Sequence, residues 1–135
     1  MKRLCRLAVI CICMLFFGMA IPVSVHAAGT NVQIDPRMSS ISTYSTELSI
    51  SSDGVASISG FVRGKTGVTS TYVKVTLQKK VSGVWIDVES WEDSSNTRSA
   101  SIAETYQISR GTYRVSMTCS ADGETKTVTS VERAY

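Results

Sequence analysis

Asp87 and Glu89 are the residues of this chain whose types and spacing come nearest to a catalytic pair. They stand two apart in an alternating run, so a regular strand puts both carboxyls on one face, about 7 Å apart. A glycosidase uses paired carboxylates near that separation, one as acid and one as base or nucleophile. The same spacing equally describes the polar side of a strand backed by Val84, Ile86 and Val88. A catalytic pair also needs a deep cleft, which a chain this short scarcely builds. The solvated strand is the expectation, and no enzyme activity is expected.

The remaining reactive groups thin out quickly. The one histidine, His26, falls in an N-terminal segment read below as cleaved. That removes Ser-His-Asp and Cys-His nucleophiles and histidine-based zinc sites. Glu92 to Asn96, and Asp122 with Glu124, gather carboxylates and hydroxyls in two apparent loops, but neither has the spacing that six to eight calcium ligands require. A Lys–Asn isopeptide crosslink has only Asn31 and Asn96 to draw on, and neither falls in a terminal strand. No metal and no cofactor is expected. Cys119 is the only cysteine beyond the leader, so it has no intramolecular partner and reads as a small buried hydrophobe.

Three aromatics are the best binding candidates. On a regular strand Trp85 and Trp91 lie opposite the Val84, Ile86, Val88 ladder, and Tyr72 faces away from Val73, Val75 and Leu77. An exposed aromatic row on a sheet can stack against the apolar faces of sugar rings. The competing reading makes one Trp a plug between sheets, with a β-bulge reversing the strand's parity, and Trp91 near a strand end is the easier one to kink.

The elements that must position these groups are strands. Short alternating runs follow one another from Tyr44 onward, split by Ser52-Asp53-Gly54, Gly64 to Gly67, Ser82-Gly83, Glu92 to Asn96, Ser109-Arg110-Gly111 and Ala121-Asp122-Gly123. Ala56, Ile58 and Val62 share a face in one run, and Val73, Val75 and Leu77 in the next. Ala100, Ile102, Tyr106 and Ile108 do so in a third, and Tyr113, Val115, Met117 and Cys119 in a fourth. No run has helical period. From position 28 on, Ser and Thr fill 34 of 108 positions while Leu appears only at 48 and 77, a composition that suits strands. Strands with one apolar face bury it by packing two sheets together, although strand count alone leaves a small barrel open.

Residues 1–27 read as a secretory signal peptide. Lys2, Arg3 and Arg6 precede an apolar stretch from Leu7 to Ile21, and Val25-His26-Ala27 offers small residues for cleavage before Ala28. The stretch is shorter than the roughly 20 residues a membrane span needs. Residues 28–43 lack periodicity and read as a flexible lead, and residues 44–133 as the domain. Beyond the leader, eleven basic residues balance eleven acidic ones, which leaves no electrostatic footprint for nucleic acid or an anionic membrane. No C-terminal sorting motif with an apolar tail is present, so release or loose surface association is expected.

Gly111-Thr112-Tyr113-Arg114-Val115 places a Tyr two residues before a core position, just after a turn, like the tyrosine corner of immunoglobulin-like sandwiches. Together with Val75 to Lys80, Gly83-Val84-Trp85, Val88 and Trp91, this stretch resembles small uncharacterised secreted proteins of Gram-positive, clostridia-like bacteria. The resemblance covers roughly Tyr44 to Val131. It implies an immunoglobulin-like fold and an extracellular address, and brings no activity and no functional residues.

The reading is therefore an all-β, immunoglobulin-like β-sandwich of about seven antiparallel strands, preceded by a signal-peptide helix. It is expected to be a monomeric, non-catalytic binding or structural module outside the cell. Its partner is an extracellular protein reached through loops or a strand edge, or a cell-wall glycan held by Trp85, Trp91 and Tyr72.

Overall fold

A computed structural model describes residues 32–135, so the signal peptide and its helix lie outside the described residues. Eight strands follow: β1 (Ile41–Ile50), β2 (Val55–Gly64), β3 (Thr71–Val81), β4 (Val84–Ser95), β5 (Ser99–Gln107), β6 (Thr112–Ala121), β7 (Glu124–Thr129) and β8 (Arg133–Ala134). All pairings are antiparallel. One sheet has the order β1-β2-β5, the other β4-β3-β6-β7, with β8 also pairing to β6. The two sheets form a sandwich.

Alternation sets the core. Leu48, Ala56, Ile58, Val62, Ala100 and Ile102 point inward from the three-stranded sheet. Val73, Val75, Leu77, Val115, Met117 and Cys119 meet them from the other, all fully buried. At the centre Gly60 leaves no room for a side chain, since an added Cβ would stand 2.4 Å from Val75 Cγ1. Two turns are two-residue hairpins with both residues at positive φ: Ser82 (51°) with Gly83 (80°), and Asp122 (44°) with Gly123 (85°). That backbone twist matches the twist of the flanking strands.

The N-terminal side differs from the flexible lead expected over 28–43. β1 begins at Ile41, three residues before the expected domain start, and Gln33 makes an isolated antiparallel bridge to Tyr44. Met38 packs on the core. The Glu124 carboxylate accepts the backbone N–H groups of Ser39 (2.8 Å), Ser40 (2.6 Å) and Ile41 (2.7 Å). Residues 33–40 are thus a strap fastened to β1 and β7. The Glu92 to Asn96 loop is also corrected, because Glu92–Ser95 continue β4 in register with Thr71–Lys74. β8, missed in the sequence, knits the C-terminus in, with Tyr135 and Gly111 exchanging two backbone hydrogen bonds of 2.9 and 3.1 Å.

Candidate functional site

The long hairpin β3–β4 carries all three aromatics singled out in the sequence, and a bulge decides where they point. Leu77 pairs with Glu89 but Gln78 pairs with Asp87, which leaves Val88 as the extra residue in β4. A bulge shifts side-chain parity by one. Trp91, opposite the buried Val75, faces the interior, half-buried, with its ring edge-on to Tyr106 at 6.0 Å and 71°. Trp85, opposite Lys80, faces outward. Tyr72 also faces outward but lies eight positions from Lys80 along β3, about 25 Å away at strand spacing. The expected aromatic row therefore does not assemble.

Of the outward aromatics, Trp85 is covered by cations. The Arg114 guanidinium lies 4.3 Å and Lys80 Nζ 5.2 Å from the Trp85 ring centre. Arg114 is held there by donating to Gln78 Oε1 (2.9 Å), whose amide donates in turn to Asp87 (2.7 Å). The Tyr72 hydroxyl donates to Glu92 at 2.9 Å. Partial burial and that carboxylate both push the Tyr72 pKa up.

The same bulge separates the carboxylate pair. Asp87 faces outward beside Gln78, while Glu89 lies opposite Leu77 on the other face, so the two do not converge on a substrate. The carboxylates of the other group are engaged by backbone. Asp122 accepts the N–H of Ser70 (2.9 Å) and Thr69 (3.1 Å), which holds its pKa below the ordinary value. Among the described residues no cluster of three metal-ligating side chains occurs. Cys119 is fully buried, and burial raises its thiol pKa to about 11 against a small opposing effect of Lys126.

What alternation missed is an exposed apolar row. Val84, Ile86 and Val88, read as a buried ladder, are 62%, 50% and 36% exposed, and Val81 joins them at 43%. Val81, Val84 and Ile86 keep the inward parity, but the hairpin carries them to where nothing covers that face. One signal was present in the sequence. The aliphatic residues of β4, Val84, Ile86 and Val88, occupy even positions, whereas Trp91 beyond them stands at an odd one, a parity switch that a bulge explains.

Concavities also mark the surface, among them one of about 380 Å³ beside the strap, lined by Gln33, Asp35, Arg37 and Lys126. A cleft of about 270 Å³ runs between β1 and the end of β7, past Tyr44 and Val128. A trough of about 410 Å³ crosses the outer face of the three-stranded sheet, paved by Ser49, Ser57, Ser59, Ala103 and Thr105 with Glu47 at its side. Comparison with protein-family models, curated proteins and solved structures finds no match to this chain.

Proposed function

We propose that this chain is a secreted, non-catalytic binding module of the bacterial cell exterior that docks a protein partner on the overhanging β3–β4 hairpin. The observation that carries this reading is the uncovered row Val81, Val84, Ile86 and Val88. Single exposed apolar side chains are ordinary, but a contiguous row on an edge hairpin is how strand edges receive partners. The basic, apolar, small-residue pattern of residues 1–27 supports export. The strand order supports an immunoglobulin-like build: β1-β2-β5 and β3-β6-β7 follow the A-B-E and C-F-G groupings, with the fourth strand moved to the β3 edge. Tyr113 supports it too, its hydroxyl donating to the Ser109 carbonyl at 2.9 Å in the connection before β6. A glycan site would need a free aromatic face, and Trp85 is occupied by Arg114 and Lys80.

Expression of the full precursor in a Gram-positive host, with a photo-crosslinking residue at Ile86 or at Ser57, tests the reading. We expect secreted protein beginning at Ala28 and a discrete protein adduct from position 86 alone. Retention inside the cell, or equal labelling from both positions, overturns it.

A further inference from the structure

We propose that the free edge of β4 receives a basic extended strand, its cationic side chains set against Glu89 and Asp93 and its apolar ones against Ile86 and Val84. This rests on the hairpin docking reading above and names the partner's chemistry. β4 closes its sheet and pairs only with β3, so its other edge is unpaired. At 12 residues it is the longest strand of the molecule. Because of the bulge, Val84, Ile86, Glu89, Trp91 and Asp93 all present to one face.

Charge selects the occupant. β4 holds Asp87, Glu89, Glu92 and Asp93 with no Lys or Arg, and the facing edge strand β5 adds Glu104, again with no base. The chain from position 28 on is neutral, so this flank is acidic by segregation and not by composition. Among the described residues the two ion pairs are Lys80–Glu132 and Lys126–Asp35, so none of these carboxylates has a cation partner. Of the three lysines of the neighbouring β3, Lys74 stands opposite Glu92 on the outer face, away from Glu89 and Asp93, and the other two are engaged elsewhere. Lys80 sits on Trp85 and Glu132, and Lys79 donates to Ser109 beside the Tyr113 ring.

A second copy is the obvious rival, and the same charges disfavour it. Antiparallel β4 against β4 puts carboxylates across from carboxylates, and like charges directly opposite are destabilising. Charged residues and a bulge are the usual means of keeping an edge from its own kind. Here the charges are of one sign, so the edge closed to itself stays open to a cationic strand. Read antiparallel, the partner carries a basic residue opposite Asp93, an apolar one opposite Trp91 and a basic one opposite Glu89. Apolar residues opposite Ile86 and Val84 follow.

The test is a titration of the isotopically labelled secreted protein with the capped peptide Lys-Thr-Val-Thr-Lys-Thr-Val-Thr-Val, followed by amide NMR. The control peptide has Glu in place of both Lys. We expect shifts confined to β4 and its hairpin with the basic peptide only, and affinity about tenfold weaker in Glu89→Lys/Asp93→Lys. Equal response to both peptides, no response at millimolar peptide, or shifts centred on the serine trough overturns the proposal. So does concentration-dependent broadening of β4 without peptide, which assigns the edge to a second copy. An adduct at position 86 with no charge selectivity sinks the basic strand alone. Loss of that adduct sinks the docking reading with it.

Discussion

The two open flanks of the sandwich are finished in opposite ways. Between β1 and the start of β7 the chain fastens its own strap, and Glu124 supplies acceptors for three successive N–H groups. The Lys126–Asp35 pair at 3.8 Å adds little, being an exposed contact worth about 0–1 kcal/mol. Between β4 and β5 Trp91 packs edge-on against Tyr106, and β4 runs on past the cover with apolar residues in solvent. A fold that fastens one flank and leaves the other bare separates the flank that carries stability from the one proposed for recognition. The first flank holds the domain together, and the second is free to meet something else.

The sharpest way to break this comparison is truncation on each side. Ile41→Ala, at a 1% exposed position under the strap, should lower stability by about 2–5 kcal/mol, whereas Ile86→Ala should stay within about 0.5 kcal/mol. Urea denaturation reads both, and equal losses would mean that the overhanging row belongs to the core. Gly60→Ala probes the spine between the flanks. Its methyl must displace Val75 and Met117, and overpacking of this kind costs about 1–3 kcal/mol. A neutral result would show the sheets can part freely there.

The two tryptophans sharpen the comparison within one hairpin. Trp91→Ala should cost about 2 kcal/mol, less than a fully buried ring because it is half-exposed. Trp85→Ala should cost about 1 kcal/mol through its two cation contacts. In single-Trp variants, acrylamide should quench residue 85 more readily than residue 91, and the reverse order would remove the bulge from the account.

Acid should act on the strapped flank first. Backbone N–H groups, that of Ile41 foremost, hold Glu124 at about 2, below its ordinary 4.5. Because the folded value is the lower one, the carboxylate stabilises above about pH 4.5, and its contribution fades as pH falls toward 2. Thermal melts across that window should show the decline, and Glu124→Gln should flatten it. A slope unchanged by the substitution would place the acid sensitivity elsewhere.

Much of the fold was legible because alternation and turn chemistry are local. The inward faces of β2, β3, β5 and β6 followed from side-chain period, and Ser82-Gly83 and Asp122-Gly123 announced turns, with Gly or Asp at three of the four positive-φ positions. The candidate site was less legible. Alternation says which side chains share a face, but not whether the facing sheet extends far enough to cover it, so Val84 and Ile86 looked buried. One unpaired residue, Val88, then sent Trp91 inward and parted Asp87 from Glu89. The strap escaped for another reason. Its partner Glu124 lies 83 to 85 positions away, and nothing in a polar run such as Ser39-Ser40 reveals a carboxylate that far along the chain.

That separation also orders events in time. A chain made N-terminus first delivers its strap early and residue 124 nearly last. The strap has no carboxylate to bind until the β6–β7 hairpin forms, and contacts this distant in sequence close slowly. Docking of the strap should therefore be the concluding step of folding. Pulsed amide exchange during refolding would show Ser40 and Ile41 gaining protection in the slowest phase, and early protection there would reverse the order.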